Sequence, residues 1–224
     1  MTDAPLIFRD VPLNDSGAAT VTLEVPAHRA VSVVGGEKSG IALIGRIALG
    51  FVTPKGGQMT VLGTELSMLP KRNLLAYRRR VGYLPAGNGL LQNLTLRQNV
   101  ALPLRFGSDL SENEIESRLN IMLAAAGLAS VGHLRPAQAS DEQQRRAALA
   151  RALAFDPKLV ILEEPFVGLT DRAARNVLET ARGGDSGAGS HRTVLALGPN
   201  VPAEISRRFD LRYRLIRGVL QQED

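Results

Sequence analysis

The sequence contains no cysteine and no tryptophan, and aromatic residues make up only 4% of its 224 residues. Without cysteine the chain has neither a disulfide framework nor a thiolate metal site. The scarcity of aromatic side chains leaves little surface on which single-stranded nucleic acid could stack. No apolar run is long enough to span a bilayer, because even the best candidate, residues 41–52, is interrupted by Arg46.

Lysine is also scarce, since 23 of the 27 basic residues are arginine and only four are lysine. Against 22 acidic residues this gives a net charge of +5, which is compatible with nucleic acid, an anionic membrane face or an acidic partner. The runs 78–80 and 207–208 are interpreted either as solvated arginines or as contacts with a membrane partner or phospholipid headgroups. Residues 1–5 lack the basic-then-apolar layout of a signal peptide, so we expect a cytoplasmic chain.

Apolar, β-branched runs alternate with helical patterns, which predicts an α/β architecture. We predict strands at 6–8, 20–25, 31–34, 58–62, 81–84, 159–162 and 193–197, and helices at 41–49, 66–79, 112–126, 141–154 and 171–182. Residues 211–220 suggest a terminal hairpin, residues 183–190 are Gly/Ser-rich and predict a loop, and two helices begin with capping-box spacings. We expect a single domain over 1–224, with a core of about 1–86 and 156–224 and an inserted helical subdomain of about 87–155.

A glycine-rich turn follows the buried strand at 31–34 and precedes a helix, as in phosphate-binding P-loops. It comprises Gly35, Gly36, Glu37, Lys38, Ser39 and Gly40. A working P-loop continues with a lysine, which neutralises the β- and γ-phosphates, and then with a serine or threonine, which binds Mg²⁺. Here those two positions hold Ile41 and Ala42. The backbone half of the motif is present and its chemical half is absent.

Two carboxylates, Glu163 and Glu164, end the apolar strand at 159–162. A strand end of this kind is where a nucleotide-hydrolysing enzyme places the groups that hold Mg²⁺ and activate water. The alternative is a carboxylate pair that is bonded to neighbouring loops and has no catalytic role.

The order of these segments resembles the nucleotide-binding subunit of ABC transporters over nearly the whole chain. The resemblance is carried by residues 81–83, 94–104, 143–153 and 157–169. It implies a P-loop NTPase-like ABC fold, a mixed sheet flanked by helices with the helical subdomain inserted. The segment 164–169 is most similar to lipid-trafficking ABC systems of the Mla type.

Several positions depart from the family pattern. The Walker B aspartate is replaced by Glu163, while the following catalytic glutamate is kept as Glu164. The Q-loop glutamine falls on Ala86, and the switch histidine falls on Pro199. The signature Leu-Ser-Gly-Gly-Gln reads Ala139, Ser140, Asp141, Glu142 and Gln143. The D-loop aspartate falls on Thr170, and no aromatic residue between positions 10 and 30 could stack on adenine.

These departures weaken both halves of a composite ABC site, which takes Walker motifs from one subunit and the signature from the other. Without the lysine, phosphate charge would meet only backbone N–H groups and an apolar side chain. At the signature, Ser140 and Gln143 can close a capping box, and the two acidic residues place negative charge at the same positive helix end. Those charges stabilise the helix and repel phosphate.

In the family, the region after the Q-loop receives the coupling helix of the transmembrane subunit. Here that segment is apolar and rich in turns, and we expect it either to dock a permease or to act as an ordinary connector. The candidate docking residues are Ala86, Gly87, Gly89, Leu90, Leu91 and Leu94.

We therefore expect a pseudo-ATPase that docks on a membrane permease at the inner face of the membrane, as a homodimer or as a heterodimer with another ABC subunit. No nucleotide cofactor and no protein-bound metal are expected, and nucleic acid is not expected as a partner. The alternative is a working transport ATPase that uses ATP, Mg²⁺ and Glu164. A third class, an ABC-like module acting on DNA, would need a long insertion or a basic groove. The short helical subdomain and the scarcity of aromatic residues argue against it.

Overall fold

The computed structural model describes residues 4–13, 20–184 and 192–223. The start of the chain, used above for the localisation prediction, therefore lies partly outside the described residues. The predicted Gly/Ser-rich loop lies mostly outside them.

A six-stranded sheet forms the centre of the molecule, with the order β10-β9-β3-β8-β7-β6. Its strands are β3 (Ala30–Gly35), β6 (Val81–Leu84), β7 (Leu159–Glu163), β8 (Thr193–Gly198), β9 (Leu211–Ile216) and β10 (Val219–Glu223). All neighbours pair in parallel except β9 and β10, which form the predicted hairpin. Every residue of β3 and β8 is buried, as expected for parallel strands covered on both faces.

A second, antiparallel sheet has the order β2-β1-β4-β5. Its strands are β1 (Leu6–Pro12), β2 (Thr20–Val25), β4 (Gln58–Val61) and β5 (Thr64–Glu65). The register between β1 and β2 shifts after Phe8, where Asp10 takes a positive φ of 52°. One hydrophobic cluster lies between this sheet and the central sheet and includes residues of the first helix.

The helices are α1 (Ile41–Ala48), α2 (Leu74–Arg78), α3 (Leu96–Gly107), α4 (Glu112–Ala125), α5 (Asp141–Ala152), α6 (Asp171–Arg182) and α7 (Ala203–Ser206). Residues 85–158, all of which the structure describes, contain no strand. Within them α3 packs against α4 and α5. A second hydrophobic cluster joins these helices and α6 to the central sheet. The boundary of a helical subdomain at about 87–155 remains a prediction.

The prediction of one helix over 66–79 is wrong. This stretch forms two 3₁₀ turns, Leu66–Met68 and Lys71–Asn73, followed by the short α2. Pro70 explains the break, because a proline has no N–H to donate and holds the preceding residue in an extended conformation. Leu69 accordingly has φ −78° and ψ 119°.

Among the described residues, no helix is both long and apolar enough to cross a bilayer.

Candidate functional site

The parallel strands of the central sheet bring most of the predicted site residues to one edge. The glycine-rich loop follows β3, Ala86 follows β6, the two glutamates end β7, and Pro199 follows β8. Two hydrogen bonds join these loops: the Glu164 N–H donates to the Leu197 carbonyl at 2.7 Å, and the Ala86 N–H reaches Glu163 Oε2 at 3.5 Å. Pro199 is exposed. These predicted site residues therefore lie at one edge of the central sheet.

The glycine-rich loop folds into a compact turn that is closed by its own residues. A 3₁₀ turn spans Glu37–Ser39, and the Ser39 N–H donates to the Gly36 carbonyl at 2.9 Å. The Ser39 hydroxyl accepts a hydrogen bond from the Ile41 N–H at 3.3 Å. That amide lies at the N-terminus of α1, where a P-loop offers its N–H groups to phosphate. In this chain a serine side chain already occupies the amide.

Gly40 joins the loop to α1 and has a φ of 84°. A Cβ atom at this position would lie 2.6 Å from the Leu13 carbonyl oxygen. Both the positive φ and the close approach of the β1 end require glycine here. Gly40 therefore has a structural reason to be glycine that is independent of any bound phosphate.

Ile41 stands where a P-loop places its lysine, and its side chain lies in the hydrophobic core. It is only 7% exposed and belongs to the same cluster as Leu13 and Ile44. Ala42, at the position of the Mg²⁺-binding hydroxyl, is exposed and has no polar atom in its side chain. The loop's only cation, Lys38, has an exposed side chain. The lysine position has been converted into a packing position.

The Glu163 side chain is half-buried at the sheet edge, where Tyr83 and α1 contact its carboxylate. The Tyr83 hydroxyl donates to Glu163 Oε2 at 2.8 Å, while Oε1 is buried and has no hydrogen-bond partner. A Cβ atom at Gly45 of α1 would lie 2.5 Å from that Oε1. Gly45 therefore leaves the room that the carboxylate occupies between α1 and Tyr83.

The partial burial of Glu163 shifts the pKa of its carboxyl group. Burial raises the pKa of the Glu163 carboxyl, against the opposing effect of the hydrogen bonds from Tyr83 and Ala86. Burial and the bond to Glu163 likewise raise the pKa of the Tyr83 hydroxyl, so Tyr83 stays a hydrogen-bond donor at neutral pH. A carboxylate that is enclosed in this way is poorly placed to hold a hydrated magnesium ion.

Glu164 differs from its neighbour because its side chain is exposed. Its backbone takes a positive φ of 47° and is fixed by the bond to Leu197. Its charge acts on Arg145 of α5, a residue that the sequence analysis did not single out. Arg145 is only 5% exposed, and its Nε and Nη1 atoms have no hydrogen-bond partner. Burial lowers the pKa of Arg145, while Glu164 and Asp141 raise it.

The signature positions form the N-terminus of α5, and the predicted capping box is confirmed. The Ser140 N–H donates to Gln143 Oε1 at 2.9 Å, and the Gln143 N–H donates to Ser140 Oγ at 3.2 Å. Asp141 is exposed, with Gly168 of the loop after β7 nearby. Glu142 forms an ion pair with Arg146 at 3.5 Å. The helix end is thus satisfied by its own side chains and carries two carboxylates.

The candidate docking segment is a turn fixed from below by two polar side chains. Arg151 donates to the carbonyls of Gly89 at 2.8 Å and Asn88 at 3.0 Å. Buried Asn99 accepts from the Leu91 N–H at 2.8 Å and donates to the Leu91 carbonyl at 3.1 Å. Leu90 is buried in the core, so it supports the segment and cannot offer its side chain to a partner.

The remaining candidate docking residues differ in what they present. Leu91 is 48% exposed and Leu94 is half-buried. Gly87 and Gly89 both have positive φ and, with Ala86, present backbone at the surface. Within this segment, Leu91 is therefore the side chain best placed to contact a partner.

A cavity of about 410 Å³ lies between the central sheet and the helical segment, beside the same turn. It shares Arg151 with the turn and Tyr83 with the Glu163 site. Two of its apolar side chains, Leu75 and Phe106, are 62% and 81% exposed. Its walls are formed by Leu75, Arg78, Arg79, Val81, Tyr83, Leu102, Pro103, Phe106, Arg151, Ala152 and Phe155.

The residues at the sheet edge do not fit a magnesium nucleotide. The loop has no lysine at position 41 and no hydroxyl at position 42, and Glu163 is enclosed by Tyr83 and α1. Within the described ranges, no group of three acidic or histidine side chains could hold a metal ion. The sheet edge has the layout of a P-loop site, and positions 41, 42 and 163 hold Ile, Ala and Glu.

Comparisons with known proteins agree with this fold. The family described as ABC transporter matches residues 18–167. The methionine import ATP-binding protein MetN 1 of Pseudomonas savastanoi pv. phaseolicola is 31% identical over 70% of this chain and 47% of its own length. The intermembrane phospholipid transport system ATP-binding protein MlaF of Haemophilus influenzae is 32% identical over 66% of this chain and 56% of its own length. The chain spans about half the length of the curated relatives it matches.

Two solved structures are similar over nearly the whole chain. The dimeric bacterial ABC transporter cassette MJ0796 has a TM-score of 0.82 at 22% identity and covers 97% of this chain and 98% of its own. The cbiO1 protein from Clostridium perfringens, part of the ABC transporter complex cbiONQ, has a TM-score of 0.82 at 18% identity, covering 98% and 88% of the two chains. At these identities the likeness establishes the fold alone.

Proposed function

Because this chain belongs to the ABC transporter family, we propose that it is a pseudo-ATPase, an ABC nucleotide-binding-domain subunit that no longer hydrolyses ATP. In this proposal it docks on a membrane permease at the inner face of the membrane. It serves there as a structural or regulatory subunit of a transport or lipid-trafficking assembly. Any dimer, with a second copy or with another ABC subunit, is held by protein contacts rather than by bound ATP.

The proposal rests on one observation: the position at which a P-loop places its lysine holds Ile41, whose side chain lies in the hydrophobic core. Ile41 contributes its side chain to the hydrophobic cluster, and its N–H is bonded to Ser39. A phosphate approaching this loop would not meet the ammonium group that a P-loop supplies, and the Ile41 N–H would already be bonded to Ser39. Since Ile41 is also part of the fold, regaining the site needs more than one substitution.

Glu163, at the end of β7, supports the same conclusion. Its carboxylate lies between Tyr83 and Gly45, and the raised pKa favours its neutral form. The signature end of α5 adds the charges of Asp141 and Glu142, which repel an anion. The positions that would meet phosphate and metal are thus engaged in packing or in hydrogen bonds within the chain.

Docking on a permease does not require any of the lost groups. The cavity beside the Gly87–Gly89 turn combines apolar walls with arginine side chains, which suits an amphipathic helical segment carrying an acidic residue. The relatives named above are import and phospholipid-transport ATP-binding proteins. A transport assembly is therefore the setting that we propose for this chain.

The deciding experiment measures ATP hydrolysis by the complex purified from membranes. We expect no MgATP turnover above that of the Glu164→Gln variant, and no heat when ATP is titrated calorimetrically into the isolated chain. Turnover that Glu164→Gln abolishes would overturn the proposal.

That outcome would favour the second candidate function, a transport ATPase with unorthodox motifs. One observation supports this alternative, because Glu164 keeps the family's catalytic residue type and its side chain is exposed at the sheet edge. The Lys38→Ala variant separates the two functions further. In a working enzyme that uses the exposed loop cation, this substitution weakens ATP binding, whereas in a pseudo-ATPase there is no binding to weaken.

A further inference from the structure

The positive charge of the chain is concentrated in one stretch. Residues 66–108 contain seven basic residues and no acidic one. The rest of the sequence has 20 basic residues against 22 acidic ones, so the whole net charge of +5 originates in this stretch. The stretch includes α2, β6, the turn at 85–89 and α3, which border the cavity described above.

Four of the seven basic side chains have partners within the protein. Arg97 and Arg105 form ion pairs with Glu116 and Glu112 of α4. Arg78 donates to the carbonyls of Leu49 and Gly50, and its guanidinium lies 4.3 Å from the centre of the Phe51 ring.

The fourth paired residue, Arg80, donates to the Leu62 carbonyl. The other three, Lys71, Arg72 and Arg79, are exposed, and no carboxylate in the described part of the chain pairs with them. Within the described residues these three cations are therefore exposed and form no ion pair.

The three cations stand among exposed apolar side chains. Lys71, Leu75 and Arg79 follow at intervals of four residues through the 3₁₀ turn and α2, a spacing that places side chains on one side of a helix. The opposite side is anchored by buried Tyr77, whose hydroxyl donates to the Ala48 carbonyl at 2.5 Å. Met68, just before this helix, is 77% exposed. We call Lys71, Arg72, Arg79, Met68 and Leu75 the α2 basic surface.

We propose that the α2 basic surface binds the headgroups of anionic phospholipids. Clustered Lys and Arg side chains are attracted to anionic bilayers, and exposed apolar side chains among them can enter the interface. Charge complementarity favours a polyanionic surface over a single acidic side chain, because three unpaired cations lie within two helical turns. The orientation rests on the proposed function, because Leu75 and Arg79 also border the cavity. A permease segment seated there would bring Met68, Lys71 and Arg72 close to the bilayer.

The test uses the purified chain and vesicles, without permease or nucleotide. We expect the chain to sediment with phosphatidylcholine vesicles that contain roughly a third phosphatidylglycerol, and not with pure phosphatidylcholine. Each removed cation weakens such binding about fivefold, so Lys71→Gln, Arg72→Gln and Arg79→Gln together lower the partition coefficient about a hundredfold.

The matched control removes the same charge from exposed arginines elsewhere, through Arg118→Gln, Arg172→Gln and Arg217→Gln. We expect this triple variant to keep most of the binding. Equal losses in the two triple variants, equal binding to neutral vesicles, or no binding to the anionic ones would each overturn the proposal. Because no ATPase is measured, its failure is distinguishable from failure of the proposed function.

Discussion

At the scale of single residues, the side chains at the P-loop and Walker B positions make contacts within the chain itself. The Ile41 side chain packs in the hydrophobic core, and the Ile41 N–H donates a hydrogen bond to the Ser39 hydroxyl. The Glu163 carboxylate accepts a hydrogen bond from Tyr83 and occupies the space beside Gly45, which has no side chain. In each case the chain gains packing or a hydrogen bond at a position where a nucleotide would need a free group.

A substitution at Ile41 tests whether this residue now belongs to the fold. Ile41→Ala removes a buried side chain, and we expect the free energy of unfolding to fall by roughly 2–4 kcal/mol. The neighbouring exposed position supplies the control, because Ala42→Ser should change stability by less than about 0.5 kcal/mol. Chemical denaturation measures both. Equal small effects would show that Ile41 is not part of the core.

The raised pKa of Glu163 predicts a pH-dependent stability. A carboxyl whose pKa is raised on folding contributes stability below its unfolded pKa, and this contribution is lost as the pH rises through the folded value. The Glu163→Gln variant has no such titration and can still accept a bond from Tyr83. We therefore expect it to be more stable than the natural protein at neutral pH and to lose this advantage in acid.

Thermal unfolding between acid and neutral pH measures the difference. Glu204→Gln is the control, since Glu204 is an exposed residue on α7. A Glu163→Gln advantage that stays constant with pH would contradict the prediction.

At the scale of elements, local sequence signals were the most informative. The capping boxes at Ser111 and Ser140 are confirmed, because both partners of such a box lie within four residues of each other. The helix α3 was not identified by itself, although Thr95 and Gln98 form a third capping box, because Pro103 interrupts its pattern. The error over 66–79 has the same origin in proline, since Pro70 separates two helical patterns that look continuous.

The capping box of α5 gives a test of what the altered signature stabilises. Ser140→Ala removes the acceptor of the Gln143 N–H, so we expect the unfolding free energy to fall by about 1 kcal/mol. Ser117→Ala, at an exposed position within α4, should leave the stability nearly unchanged. If the two variants are equally stable, Ser140 does not cap the helix.

At the scale of the whole molecule, the sequence was sufficient for the order of the segments and insufficient for the long-range contacts. The resemblance to the ABC family is confirmed, and the parallel strands place the predicted loops at one edge. No local pattern shows that Tyr83 bonds to Glu163 or that Arg145 is buried, because these partners come from distant parts of the chain. The cavity likewise depends on how α2, α3 and α5 pack.

The cavity predicts how the chain holds its membrane partner. Phe106→Asp places a charge on an exposed apolar wall of the cavity, and we expect less permease to co-purify with the variant from membranes. Ile121→Asp is the matched control, because Ile121 is 70% exposed on α4 and does not line the cavity. Neither change should lower the melting temperature. Equal recovery of the partner with both variants would exclude the cavity as the docking site.

Tyr83 belongs to two sites: it lines the cavity, and its hydroxyl donates a hydrogen bond to Glu163 Oε2. A ligand that fills the cavity and shifts the Tyr83 side chain would therefore be coupled to that hydrogen bond. Such a ligand would weaken the hydrogen bond between Tyr83 and Glu163. By reciprocity, the intact hydrogen bond would lower the affinity for the ligand by the same free energy. The proton on Glu163 enters the same balance, since its affinity depends on the hydroxyl above it. Ligand binding in the cavity and proton binding to Glu163 would then report the same coupling free energy.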